Sequence, residues 1–317
     1  MFKQFSSLAN LVTALPDEKS CIGHFRAIRW PNGIVCPHCG TVGGHYTLKD
    51  DTHKCGEKNC HKKFSVRSGT IFEASRIPLK KWFIAIYLAT SHKKSISSCQ
   101  LARDVGVTQK TAWFMIHRIN EATGSVEFNG PLEGVVEMDE TYVGGREKFK
   151  HASKRIPRHI SAHPGNTKIT VFGMIQRGGD LRLQKIANTK KATLLPLIES
   201  NVAHGTTVYS DEAQCYKWMR QSYEHNLVAH TLGEYVRDDV YTNTIEGVFS
   251  HFKRQIIGVN HQASDKHIDR YLSGFAWRWN RRTMKEGERI NDLLRSTQGQ
   301  RLTYANLIGK ESQWSQN

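Results

Sequence analysis

The chain has 317 residues, with 45 Lys+Arg against 29 Asp+Glu for a formal charge of +16, and 38% of it is hydrophobic. That length suits two or three compact domains, and seven Trp, ten Tyr and thirteen Phe supply enough core to exclude wholesale disorder. The longest apolar run, Trp82 to Ala89, is too short for a membrane span and the polar start lacks a secretory core, so the charge is expected to serve nucleic acid in the cytoplasm.

From Trp30 to Phe72, cysteines sit among Gly, His and Lys with few aliphatic residues, a composition too poor in core to fold unaided. Cys36-Pro-His-Cys39 and Cys55-Gly-Glu-Lys-Asn-Cys60, with fifteen residues between, form two thiolate pairs of the kind that clasp one tetrahedral Zn²⁺. Four thiolates leave no open position, so this zinc is expected to be structural. Cys21, Cys99 and Cys215 are scattered, and His38, His45, His53 and His61 crowd the same stretch as alternative ligands.

A helical period begins at Pro78 and runs through Leu79, Trp82, Phe83, Ile86 and Tyr87. A second helix carries Leu101, Ala102 and Val105, breaks at Gly106, and is followed by a third that starts on Thr108 as N-cap before Ala112, Trp113, Ile116 and Ile119. Two helices about a glycine turn predict a helix-turn-helix, with Gln109, Lys110 and Arg118 as the residues facing DNA. Residues 36–120 hold 14 Lys+Arg against 5 acids, in keeping with that role.

Gly124 to Gly134 reads as a linker. Strands are predicted at Val135–Val143, Lys168–Gln176, Leu181–Ile186 and Thr206–Tyr209, and helices at Ala192–Val202, Thr244–Ile257 and Ile268–Trp279. Strands first, then strand and helix in alternation, predict a mixed α/β sheet covered by helices.

Against this basic background a few acids stand out. Asp139 and Asp211 each close a strand-like run, where open α/β sheets hold ligands. Glu246 lies on a helix whose buried face is Ile245, Val248, Phe249, Phe252 and Ile256, in a polar stripe with Asn243, Ser250 and Lys253. Three such oxygen donors suit Mg²⁺ or Mn²⁺, and two such ions serve in-line phosphoryl transfer. Glu137, on the same strand face as Asp139, competes for the role, as do Asp238 and Asp239 for that of Glu246.

Arg29-Trp-Pro-Asn-Gly33 leading into Cys36, Ser68-Gly-Thr-Ile71, Met138-Asp-Glu-Thr-Tyr-Val-Gly-Gly145, Ser210-Asp211 and Asn243-Thr-Ile-Glu-Gly247 with Lys253-Arg254 together resemble a bacterial insertion-sequence transposase of the DDE type, the ISXO2-like family, over about residues 20 to 282. The resemblance implies an α/β multidomain chain: a helical lead-in at 1–29, a zinc ribbon at 30–74, a helix-turn-helix-like region at 75–124, an RNase H-like catalytic domain at 132–283, and a C-terminal tail at 284–317. It implies that Asp139, Asp211 and Glu246 are the catalytic metal ligands, with Asn243 as an alternative or additional third ligand and Lys253 in support. Such enzymes bind terminal inverted repeats, cut phosphodiester bonds with metal ions, and join the 3′ ends to target DNA. Synapsis of two ends implies a homo-oligomer on DNA.

Further DNA contacts are expected from Lys253 and Arg254, from Arg270, Arg278, Arg281 and Arg282 around the last predicted helix, and from a basic loop at 144–164 carrying Arg146, Lys148, Lys150, Lys154, Arg155 and Arg158. The rival readings are a zinc-ribbon transcription regulator, which leaves the three acids idle, and an RNase H-like nuclease acting on hybrids or junctions.

Overall fold

The computed structural model describes residues 5–124, 130–145, 147–157, 167–211, 223–228 and 242–309, with backbone alone at Glu147, Lys154, Asp211, Leu227 and Val228. Arg146, Arg158, Cys215, Asp238 and Asp239 therefore lie outside the described residues. The chain divides into two compact units, one of residues 1–126 and 281–317, the other of residues 127–280.

The first unit opens with helices α1 (Leu8–Ala14) and α2 (Glu18–Arg29). Asp17 and Ser20 form a reciprocal capping box at the start of α2, which buries Cys21, His24, Phe25 and Ile28 at helical spacing. A three-stranded antiparallel sheet follows, β1 (Tyr46–Thr47), β2 (His53–Lys54) and β3 (Lys63–Phe64). Helix α3 (Leu79–Ser91) starts after Pro78 and buries Leu79, Trp82, Phe83 and Ile86. Its free N-terminal amides at Leu79 and Lys80 donate to the Glu18 carboxylate at 2.9 and 3.2 Å, which fixes α3 to α2.

Helices α4 (Ser98–Val105) and α5 (Gln109–Gly124) are the expected pair. Gly106 takes the left-handed conformation at φ +61°, which a Cβ would disfavour, and Thr108 Oγ1 accepts the Thr111 amide at 3.3 Å. Gln109 and Lys110 are exposed. Arg118 is not a DNA-facing residue: it is 6% exposed, and its guanidinium donates to the carbonyls of Leu302 (3.0 Å), Ile71 (2.8 Å) and Glu73 (3.1 Å). Burial lowers its pKa to about 10. Arg118→Ala is therefore expected to cost about 3 kcal/mol, since three buried carbonyls lose a charged donor, while leaving the salt dependence of DNA binding unchanged. A variant with the wild-type melting temperature and a shallower salt slope would return Arg118 to the DNA surface.

Beyond Asn280 the chain returns to this unit as helices α9 (Glu286–Ser296) and α10 (Tyr304–Ile308), in the stretch for which the sequence offered only a tail. Asn291 Oδ1 on α9 meets His24 Nε2 at 2.9 Å, and Arg289 donates to the Thr90 carbonyl at 3.0 Å. Arg281 is engaged by the Asp292 carboxylate, so it is not a free cation for DNA.

The second unit is a five-stranded mixed sheet of β4 (Val135–Val143), β5 (Ile169–Gln176), β6 (Leu181–Ile186), β7 (Thr207–Asp211) and β8 (Glu224–Val228), in the order β6-β5-β4-β7-β8. Strand β5 runs antiparallel to both its neighbours, and β4, β7 and β8 run parallel. This is the RNase H-like sheet. Alternation along the strands separates two cores. Val136, Met138, Phe172, Met174 and Val208 pack with Leu194 and Ile198 of α6 (Lys191–Asn201). On the other face Val143, Val171 and Ile175 pack with Ile245, Val248, Phe249 and Phe252 of α7 (Asn243–Gln255) and with Ile268, Leu272 and Phe275 of α8 (Ile268–Asn280). Arg278 belongs to this packed region: it is 7% exposed and donates to Gln255 Oε1 at 2.6 Å, which removes it from the expected DNA side.

Candidate metal centre and carboxylate cleft

The zinc site is built from two tight turns. Gly40 N donates to the Cys36 carbonyl at 2.9 Å, and Cys60 N to the Glu57 carbonyl at 3.0 Å, folding each cysteine pair back on itself. Gly56 is required, because a Cβ there would meet the Gly44 carbonyl oxygen at 2.0 Å. Cys36 and Cys60 sulfurs lie 3.8 Å apart and those of Cys39 and Cys55 3.6 Å apart, with all four within 4.8 Å of one another. Zinc–sulfur bonds of about 2.3 Å in a tetrahedron give sulfur–sulfur edges of about 3.8 Å, so the donor set fits Zn²⁺ closely. The Thr41 hydroxyl and amide favour the charged sulfur of Cys39 and pull its pKa down to about 6.

The nearby histidines have other roles. His53 is buried edge-on to Trp30, with Nδ1 3.2 Å from Thr47 Oγ1, and His45 Nε2 meets the Thr41 carbonyl at 3.0 Å. His38 and His61 are exposed. Among the described residues, the four cysteines are the one group of three or more His, Cys, Asp or Glu whose ligand atoms converge.

In the second unit, Asp139 does not end its strand as the sequence pattern suggested. Strand β4 continues to Val143, held throughout by β5, and what ends near Asp139 is the pairing with β7. The last paired position there is Glu137 opposite Tyr209, and two residues further along each strand stand Asp139 and Asp211, the last residue of β7. The two aspartates thus share one register level where the parallel strands part. On its other side Asp139 is paired with Gly173 of β5. A Cβ on Gly173 would come within 2.8 Å of both Ile245 and Phe249, so α7 crosses the sheet directly over Asp139's neighbour. Asp139 Oδ1 accepts the Glu140 amide at 2.7 Å.

Glu137 is the residue whose role the sequence left open. It is fully buried, and both carboxylate oxygens are engaged: Oε1 by Arg177 Nε (2.8 Å) and Thr244 Oγ1 (2.9 Å), Oε2 by the amides of Thr244 (2.9 Å) and Ile245 (3.0 Å). A carboxylate with these four donors is a helix cap supplied from a strand. Arg177, which sequence reading missed, also lies over the Tyr209 ring at 4.7 Å. Glu137 thereby fixes the first turn of α7 above β4. In that turn Asn243 and Glu246 are exposed, and the Thr242 hydroxyl stands 3.4 Å from Glu246 Oε1. Ser250 and Arg254 continue the exposed stripe while Lys253 is half-buried.

Residues 131–280 match the ISXO2-like transposase domain, and residues 16–63 match a transposase zinc-ribbon domain. Both matches support a transposase of the ISXO2-like type. A protein of the transposable element ISH50 from Halobacterium salinarum is 29% identical over 263 residues, which cover 79% of this chain and 87% of that one. A transposase-like protein of Haemophilus influenzae is 29% identical over 101 residues, 32% of this chain and 80% of its own. A simian T-cell lymphotropic virus intasome complex superimposes with a TM-score of 0.27 at 10% identity, covering 56% of this chain and 63% of that one, too distant a likeness to bear on function. The ribbon match and the four converging cysteines support a structural zinc site, and the sheet unit matches a transposase domain.

Proposed function

We propose that the chain is a DDE transposase that binds the terminal inverted repeats of its own element, cleaves at the element ends and joins the freed 3′ ends to target DNA. The observation that carries this reading is the shared register level of Asp139 and Asp211 at the parting of β4 and β7, beneath a helix whose first turn holds Glu246. Carboxylate oxygens are the donors that Mg²⁺ and Mn²⁺ prefer, so Asp139, Asp211 and Glu246 would hold two such ions, with Asn243 as a further or alternative oxygen donor. Such ions, held by these residues, would supply activation of a water or 3′-hydroxyl and stabilisation of the leaving oxygen.

The chain's own residues supply position. Glu137 sets where α7 begins, the close approach over Gly173 sets its height, and the stripe from Glu246 to Arg254 brings a cation to the strand being cut. Gln109 and Lys110 on α5 serve end recognition. Lys148 and Arg155, in the described part of the basic loop, add phosphate contacts. Two ends held together require at least two copies of the chain on DNA, and the reaction takes place at the nucleoid in the cytoplasm. Among the described residues no helix is long and apolar enough to cross a membrane.

Incubation with labelled element-end DNA and Mg²⁺ tests the reading. Wild type is expected to give nicks and joined products, and Asp139→Asn to lose both by about a thousandfold or more, as when one member of a catalytic unit is removed. End binding is expected to remain. Undiminished cleavage by the variant would sink the assignment, and a wild type that binds without cutting would favour a regulator.

A further inference from the structure

The small sheet of the zinc ribbon has two unlike faces. Its register pairs Tyr46 with Lys54 and Lys54 with Lys63, and pairs Thr47 with His53 and His53 with Phe64. The second row turns inward: His53 and Phe64 are buried against the Trp30 ring. The first row is exposed in all three strands, with Tyr46 67% accessible.

Two lysines directly opposite each other in an antiparallel pair repel and weaken the sheet. Among the described residues neither Lys54 nor Lys63 forms an ion pair, so no direct contact offsets the repulsion. Asp50, the acid whose charge senses Lys63, accepts on Oδ1 from the Thr52 amide and hydroxyl at 3.2 and 2.6 Å. Asp51 pairs with Arg26 at 3.4 Å, and Glu57 accepts the Lys58 amide at 3.0 Å. Lys58 and Lys62 add exposed positive charge close by in the chain.

We infer that the Tyr46–Lys54–Lys63 row is a DNA-backbone site of the ribbon, in which the two lysines share the phosphates of one strand and the Tyr46 ring lies against the neighbouring sugar and base. The strand spacing puts the two lysine backbones about 5 Å apart, and from there each long side chain can reach a phosphate of its own on one strand. The phosphate supplies the counter-charge that the ribbon withholds, and the aromatic ring supplies contact that does not depend on sequence. That the DNA is an element end rests on the transposase reading; the chemistry of the row does not.

The test uses the zinc-loaded full-length protein, titrated by fluorescence anisotropy over a range of KCl against a short duplex of arbitrary sequence and against the DNA flanking the coding region. Lys54→Gln with Lys63→Gln is expected to weaken both complexes about tenfold or more and to reduce the slope of log affinity on log salt by about 1.8, the value for two lost phosphate contacts. Tyr46→Ala is expected to weaken binding with the slope unchanged. Lys54→Glu replaces the repelling pair with an attracting one, so its melting temperature should rise while its DNA affinity falls. Unaltered slopes in the double variant, with zinc content and melting temperature intact, would overturn the site. Cleavage assays are separate: a wild type that never cuts DNA but shows these slopes refutes the transposase reading and keeps the row.

Discussion

Removing the zinc is expected to unfold the ribbon and to leave the helices around it standing. Each ribbon strand is two residues long, and the buried residues of the sheet are His53 and Phe64, packed on Trp30, so hydrogen bonding and burial alone do not hold it. The four sulfurs do: Cys36 and Cys55 are fully buried, and both turns exist to bring their cysteines together. Structural zinc contributes roughly 10–16 kcal/mol of apparent binding free energy in modules of this kind, far more than the ribbon's core. Metal analysis should find one zinc per chain. Chelation, or Cys55→Ser, should then abolish amide-exchange protection across residues 34–66 while the helical circular dichroism of α3 to α5 survives. Retained protection in the metal-free ribbon would refute this. The sharp boundary is expected because α2 and α3 have their own tie, the Glu18 carboxylate on the first turn of α3, and an edge-to-face aromatic cluster in which Phe72 joins Phe25 of α2 to Trp82 of α3, with ring centroids 5.2 and 5.3 Å apart.

Features that depend on neighbours in the chain were legible from it. Cysteine spacing, the Gly106 break, and the β-branched run of β4 each carry their signal within a dozen residues, and each stands in the structure. Features that depend on distant partners were not. Arg118 reads as surface charge until the Leu302 carbonyl, 184 residues away, meets its guanidinium, and Arg278 reads the same until Gln255 accepts from it. Strand β8, Glu-His-Asn-Leu-Val, shows no alternating apolar pattern because a buried position is filled by His225, which meets Ser210 Oγ at 2.8 Å, and it went unrecognised. In the cleft, alternation put Glu137 and Asp139 on one face and made them equals. What separates them is donors from Arg177, 40 residues on, and from Thr244 and Ile245, more than 100 residues on, which leave Glu137 no oxygen to spare.

Glu137 therefore carries the second large expectation, one that joins stability to chemistry. Glu137→Ala leaves the Arg177 guanidinium without its carboxylate and strips the first amides of α7 of their cap. Breaking a buried charge pair of this kind costs about 3–5 kcal/mol, much of it from the partner left behind. Glu137→Gln keeps the shape but turns one acceptor into a donor that faces donors, so it should cost less, about 1–3 kcal/mol for the unsatisfied group. At a temperature where the Gln variant remains folded, cleavage should still fall by an order of magnitude or more, because the first turn of α7, and with it Glu246, is no longer fixed over β4. DNA-end binding should not change. Thermal melting, cleavage and anisotropy on the same preparation separate these effects, and a double-mutant cycle with Arg177→Met should show strong coupling in stability. If Glu137 were instead a metal ligand, Glu137→Gln would lose cleavage without losing melting temperature. The four hydrogen bonds to its two oxygens argue for loss of both.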